Sequence, residues 1–507
     1  MAKKIMFQGT SSHVGKSILT TALCRIFYKE GLRVAPFKAQ NMALNSYVTL
    51  AGDEIGRAQV VQAEAAGVLP IVQMNPVLLK PTGNASSQVV LMGKPVGVYS
   101  AKEYHTKYSL TALDKVKESL EFLDQNYDVI VVEGAGSPAE VNLKANDIVN
   151  MRVAKLGKIP VFLVADIDRG GALASIVGTL ELLEPEERDL VKGIVINKFR
   201  GDVRLLEPAI TFLEEKTGKP VLGVIPSIED LGIEEEDSVS LDDKCEDASK
   251  PIQIAVLQTP KISNFTDVDA FIHEPDVSVR FVKKGETIGQ PDMIILPGSK
   301  NTTQDLAYLK EQGFDKEIQA LAKADVPVAG ICGGYQMMGA RILDPHHTES
   351  DITEIEGLGL LPIETEMKET KATYQVSLKV KNFPFLDVNV SGEDLKGYEI
   401  HMGVSRPVKE IAPQFTVYRE GEEGAVQDGY VNMDGKHIFG SYIHGIFDND
   451  ILRRAVINAL RSKKGLPVLP VQFEMQKHKD AAYDRLASIV SEHLDMDKLR
   501  QIMNEGI

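Results

Sequence analysis

Two tandem α/β domains followed by a C-terminal helical extension is the fold class predicted from the sequence, on three observations. Short runs rich in β-branched residues alternate with helix-length amphipathic stretches over residues 3–226: KKIMFQ, RVAPFK, YDVIVVEG, IPVFLVAD, VKGIVINKF and KPVLGVIP. That rhythm marks a parallel sheet with helices on both faces. The stretch IEEEDSVSLDDKCEDASKP, residues 233–251, is acidic, poor in large apolar residues and closed by a proline, and reads as a linker. A second α/β series opens at IQIAVLQTP and runs through DMIILPGS, VPVAGICGG and HIFGSYIHGIF. The expected boundaries are 1–232 for the first domain, 233–251 for the linker, 252–450 for the second domain and 451–507 for a packed helical extension. In that extension LRRAVINALRS and KDAAYDRLASIVSEHLDMDKLRQIM each offer one apolar stripe.

The bulk numbers agree. A chain of 507 residues exceeds what one core usually serves, and 43% hydrophobic with 25% charged residues is an ordinary globular composition. A formal net charge of −16 speaks against an extended footprint on nucleic acid or anionic membrane and for a small ligand. Cys24, Cys245 and Cys332 are too few and too scattered for a disulfide framework or a zinc site, which fits a reducing compartment. The chain runs from MAKK into a strand without a signal-like apolar region, and no later apolar run is long enough to span a bilayer, so the expected location is the cytoplasm.

In the first domain GTSSHVGKS, Gly9 to Ser17, follows a strand and opens the helix ILTTALCRIFYKEG, the context of a phosphate-binding loop. Backbone N–H groups and the helix N-terminus face the β- and γ-phosphates of ATP, Lys16 neutralises charge and the Ser17 hydroxyl can ligate Mg²⁺. The strict pattern G-x-x-x-x-G-K-[ST] fails by one residue, because Thr10 stands where the first Gly would be and Gly9 precedes it; Gly15 keeps its place. This variant resembles the dethiobiotin synthetase group, which phosphorylates a substrate group. Mg²⁺ needs further hard oxygens. Asp53 in AGDEIGRAQ, Glu133 closing VIVVEG, and Asp166 or Asp168 in VADIDRGG are the candidates, each with an alternative reading as a turn or cap carboxylate. The resemblance implies Asp53 and Glu133 beside Ser17, and Asn197 of INKFRGD as the residue that reads the base.

In the second domain VPVAGICGGYQMMG puts Cys332 between a buried-looking strand and a helix that begins with glycines, the layout of a nucleophile elbow with an accessible thiol. His444 in SYIHGIF ends a later strand and can serve as its base. The backbone N–H groups of Gly333 and Gly334 are placed to hold an oxyanion. A lone Cys or a lone His is usually structural, but together in this order they resemble class I glutamine amidotransferases. The Glu that commonly stands two residues after the His is replaced by Ile446, and Glu399, His401 or Asp448 are left as candidates to orient His444.

Over essentially the full length, PFKAQNMALNS (36–46), MNPVLLKP (74–81), EGAGSPAEVNLKANDIVNM (133–151), VADIDRGGA (164–172), CGGYQMMG (332–339), GYEIHMG (397–403) and HGIFD (444–448) resemble the cobyric acid synthase family of CobB/CobQ-type amidotransferases. The resemblance implies a dethiobiotin-synthetase-like ATP domain joined to a class I amidotransferase domain. It also implies L-glutamine, ATP and a corrinoid polycarboxylate as small-molecule partners, and leaves homo-oligomerisation open. Lys38, Asn41, Lys80 and Asp147 become candidates for the amidation site; strand-end lysines, a turn asparagine and a helix N-cap are their ordinary alternatives. Two rivals stand: the sibling synthase that amidates other carboxylates, and a nucleotide-gated scaffold with a degenerate glutaminase.

Overall fold

The computed structural model describes residues 1–82, 86–104, 108–234, 247–380, 383–390 and 394–506. Most of the acidic linker, with Cys245, lies outside them. The chain divides into two compact units: Met1–Ala43, Glu54–Ile233 and Lys479–Ile507 form the first, Leu44–Asp53 and Glu234–His478 the second.

The first unit is built on six parallel strands, β1 (Lys3–Gly9), β2 (Val34–Phe37), β3 (Val129–Glu133), β4 (Val161–Asp166), β5 (Val191–Phe199) and β6 (Val221–Pro226), in the order β6-β5-β4-β1-β3-β2. Alternate residues feed two cores. Ile5, Phe7, Val129, Val131, Phe162 and Val164 enter one, with Leu19, Leu23 and Phe27 of α1 (Lys16–Lys29). Met6, Ile130, Val132, Leu163 and Ala165 enter the other. Period-two burial on both faces is why these strands read as continuous apolar runs. Helix α2 (Arg57–Ala65) follows the strand Glu54–Gly56.

In the second unit β7 (Ile252–Leu257), β8 (Val277–Val282), β9 (Met293–Leu296) and β10 (Val328–Ile331) are parallel. The short helix α3 (Gly333–Met337) follows β10. The sheet then continues into an antiparallel half that the sequence reading did not separate: β11 (Ile363–Val380), β12 (Asp394–Pro407), β13 (Pro413–Arg419) and β14 (Val426–Val431). β15 (Ile438–Ser441) joins the halves, parallel to β10 and antiparallel to β14. The start of β11 alternates buried and half-buried residues, as a strand with one covered face does, and such mixed runs carry a weaker signal than the buried parallel strands.

The C-terminal helices are not one extension. α4 (Asp450–Lys463) inserts Leu452, Val456, Ile457 and Leu460 into the core of the second unit. Its Arg453 and Arg454 meet Glu274 and Asp276, with Arg453 to Glu274 at 2.8 Å. α5 (Met475–His493) and α6 (Met496–Glu505) instead give Tyr483, Leu486, Val490, Leu499 and Ile502 to the α1 side of the first unit. Gly223 makes that approach feasible, since a Cβ there would lie 2.2 Å from the His493 carbonyl oxygen. Among the described residues no helix is long and apolar enough to cross a membrane.

Candidate active sites

The phosphate loop leaves β1 and enters α1. Gly15 is its left-handed N-cap (φ 97°), and a Cβ there would sit 2.0 Å from Asn197 Nδ2. Gly9 is equally confined: a Cβ would meet Ser11 O and Val14 Cγ2 at 2.7 Å and Lys16 Nζ at 2.8 Å. The displaced glycine therefore serves close packing inside the loop. Thr10 N–H donates to Val164 O at 2.9 Å, which ties the loop to β4. Asn197 and Lys198, at the end of β5, hold it from the other side: Asn197 Nδ2 donates to Val14 O at 2.8 Å and Lys198 Nζ to His13 O at 2.7 Å. Lys198 also pairs with Asp166 at 3.0 Å and Arg200 with Asp168 at 3.2 Å, so this aspartate pair answers basic side chains.

Lys16 Nζ donates to Ser11 O at 3.2 Å and Gly136 O at 3.3 Å. Burial lowers its pKa to about 8, against the opposing pull of Glu133. Glu133, 1% exposed, is the centre of the cluster. Its Oε1 accepts from Ser17 Oγ at 2.8 Å and Lys38 Nζ at 2.9 Å, and its Oε2 from Gln62 Nε2 of α2 at 2.7 Å. Burial raises the Glu133 pKa, but Lys38 and Lys16 outweigh it and hold the carboxyl below its ordinary value. Ser17 and Glu133 thus offer two adjacent hard oxygens, a donor set that fits Mg²⁺, which commonly takes one or two protein ligands and completes its shell with water and phosphate. Asp53, expected with them, packs with the second unit. Among the described residues no group of three His, Cys, Asp or Glu forms a metal site.

Of the remaining candidates of this unit, Lys80 and Asn41 are buried. Lys80 Nζ meets Glu54 at 2.7 Å with side chains 4% and 0% exposed. Asn41, buried, donates to Gln59 Oε1 at 3.0 Å. Asp147 Oδ1 accepts the N–H groups of Val149 and Asn150 at 2.8 and 3.0 Å, in the turn before the helix Met151–Gly157, whose N-cap is Asn150. Gln62 had no motif to mark it.

The second site centres on Cys332, at φ 52° and ψ −108° between β10 and α3. A non-glycine residue at positive φ is costly and has to be held by its surroundings. Cys332 N–H donates to Ser441 O at 2.8 Å, and Gln336 N–H to Cys332 O at 3.0 Å. Its neighbours must be small. A Cβ on Gly334 would lie 1.9 Å from Leu296 O, one on Gly333 2.8 Å from Ser299 N, and one on Gly330 2.3 Å from Met338 Sδ. Gly333 and Gly334 begin α3, where N–H groups lack intrahelical acceptors. The thiol, expected to be accessible, is 7% exposed, with Sγ 3.6 Å from Ile400 O.

His444, 2% exposed, is oriented by Asp267, a residue outside the expected three. Asp267 Oδ2 lies 2.7 Å from His444 Nδ1 and Oδ1 accepts the Gly445 N–H at 2.8 Å. A carboxylate only accepts, so Nδ1 carries the proton and Nε2 is left for Cys332. Burial opposes charge on this ring, but Asp267 and Cys332 outweigh it and raise the pKa to about 10. Tyr398 stacks on the ring, centroids 5.1 Å apart, and a Cβ on Gly298 would come 3.1 Å from His444 Cε1. Glu399 is instead held by Arg419 at 2.5 Å, and His401 Nδ1 meets Gly403 O at 2.8 Å. Asp267 stands 177 residues from its histidine, and no local spacing announces it.

A phosphate loop with an adjoining carboxylate and a Cys-His-Asp relay in one chain narrows the field, and comparison with known proteins closes it. Residues 5–240 match the CobQ/CobB/MinD/ParA nucleotide binding domain, and residues 253–452 the CobB/CobQ-like glutamine amidotransferase domain. The chain is 53% identical to cobyric acid synthase of Moorella thermoacetica, over 99% of this chain and 98% of that protein. It is 51% identical to cobyric acid synthase of Desulforamulus reducens, over 100% and 99%. The chain belongs to the cobyric acid synthase family. Within that family the first unit is the nucleotide-binding half and the second the glutamine amidotransferase half. The scaffold rival falls with this membership.

Proposed function

We propose that the protein amidates the b, d, e and g carboxylates of adenosylcobyrinic acid a,c-diamide, taking ammonia from L-glutamine and spending one ATP per amide. The observation that carries this reading is the presence of both machines in one chain: Lys16, Ser17 and Glu133 around a phosphate loop, and Cys332, His444 and Asp267 around a buried thiol.

At the glutaminase, Cys332 Sγ attacks the glutamine carboxamide carbon with the proton it has given up held on His444 Nε2. The N–H groups of Gly333 and Gly334 donate to the developing oxyanion. His444 returns the proton to the leaving nitrogen, ammonia departs, and water hydrolyses the glutamyl thioester. Asp267 keeps the ring in one tautomer throughout.

At the other site a substrate carboxylate attacks the γ-phosphorus of ATP, giving ADP and an acyl phosphate. Ammonia then attacks the acyl carbon and phosphate leaves, forming the amide. The loop from Gly9 to Ser17 holds the phosphates, Lys16 balances their charge, and Ser17 with Glu133 would hold Mg²⁺. When bound, the cation neutralises charge on the β- and γ-oxygens. Lys38, Asn41 and Lys80 are the residues proposed to face the acid. Incubation with ATP, Mg²⁺, glutamine and the diamide should give four successive products, each lighter by about one mass unit, with one ADP per step. ATP and glutamine turnover without a mass change would assign the mechanism to another acid.

A further inference from the structure

The segment Leu44–Asp53 lies inside the stretch matched by the nucleotide-binding family model, yet it packs with the second unit. There it touches the groups that set the geometry of the glutaminase. Asp267 sits in the turn Phe265–Val268, and the residue before that turn, Asn264, is left-handed (φ 54°). Asn264 Oδ1 accepts the Ser46 N–H at 2.9 Å, and Ser263 Oγ donates to the Leu44 carbonyl at 2.8 Å. On the face of the imidazole, Tyr398 donates its hydroxyl to the Ser46 carbonyl at 3.4 Å and rests against Tyr47, centroids 4.8 Å apart. Val48 is fully buried and packs with Tyr398 and Ile400, and the Ile400 carbonyl lies 3.6 Å from the Cys332 sulfur.

We propose that Ser46, Tyr47 and Val48 form a positioning strap for the glutaminase, a role that rests on the reading of Cys332 as its nucleophile. The physical reason is that all three catalytic side chains are buried, so their geometry is set by what packs behind them. Ser46 fixes the turn that aims Asp267 through one backbone group and the ring that backs His444 through the other. Val48 fills the space behind Ile400. A relay of this kind is sensitive to small displacements, since a misplacement of about 1 Å costs on the order of 10²-fold in rate. The strap makes the glutaminase a site assembled from chain segments more than 200 positions apart, as the Ser46–Asn264 bond spans 218 residues.

The test uses the full-length protein. Asn264→Gly keeps the left-handed backbone and removes the acceptor for Ser46; Tyr398→Phe keeps the ring and removes the hydroxyl. Their combination should lower kcat for glutamine hydrolysis on the order of tenfold or more while the glutamine KM stays within about twofold. ATP consumption supported by ammonium chloride and the diamide should stay within about twofold, because it bypasses the relay. Asn264→Asp retains an acceptor and should keep the glutaminase rate. An unchanged kcat in the double variant overturns the proposal. So does a parallel loss of ammonia-supported turnover, or a failure of Asn264→Asp to keep the rate. Should the double variant not fold, Tyr398→Phe alone, which keeps every ring contact, is held to the same comparison. Glutamine hydrolysis that survives Cys332→Ser removes the glutaminase reading itself, and the strap with it.

Discussion

Asp267 decides which way the His444 ring faces, because its two oxygens bind Nδ1 and the adjoining Gly445 N–H at once. Asp267→Asn keeps the shape but lets the amide donate to the ring, which favours the wrong tautomer. Glutamine hydrolysis should fall by about 10²-fold or more in kcat with KM little changed, and ammonia-supported amidation should continue. At the other site the residue to watch is Lys16, whose pKa burial lowers to about 8. Bound phosphates favour its ammonium form, so above that pH ATP binding should draw a proton from solvent. Calorimetry at about pH 9 in buffers of different ionisation enthalpy should register the uptake, and Lys16→Met should abolish that share of it. Cys332 and His444 were legible because strand ends, small neighbours and chain order mark them. Asp267, Gln62 and Ser46 were not, since each acts on a partner brought near by folding, and a solitary Asp, Gln or Ser has too many ordinary uses to stand out.

Among the elements, the phosphate loop shows how tightly a short motif can be bound to its context. Gly15 combines a left-handed backbone with an Asn197 amide 2.0 Å from where a Cβ would fall, so Gly15→Ala must both strain the turn and push away the side chain that grips Val14. Its stability cost should be about 1–3 kcal/mol, read from denaturant unfolding, and nucleotide binding should weaken along with it. The parallel strands of both units were readable as apolar runs because both their faces are covered. The antiparallel half of the second sheet was not, because strands such as β11 mix buried with half-buried residues. The C-terminal helices each showed their apolar stripe, but a stripe does not name the surface it meets: α4 found the core of the second unit, α5 and α6 that of the first.

For the whole molecule, each unit carries its own core and its own chemistry, and the two reactions should therefore come apart by single substitutions. Cys332→Ser removes the nucleophile at a position where the side-chain volume hardly changes, so glutamine hydrolysis should stop while ammonium chloride still supports amidation. Ser17→Ala is the complementary change. It deletes a hydroxyl that meets Glu133 at 2.8 Å and leaves Glu133 held by Lys38 and Gln62, so the first unit should keep its fold. Amidation should then drop by about 10- to 100-fold with either nitrogen source, the usual scale for weakening a metal site. Glutamine hydrolysis should persist. Product mass and ammonia release, measured on the same samples, separate the two losses. Were Ser17→Ala to abolish ammonia release as completely as Cys332→Ser, glutamine hydrolysis would require an intact nucleotide site, and the two chemistries would be coupled rather than merely joined in one chain.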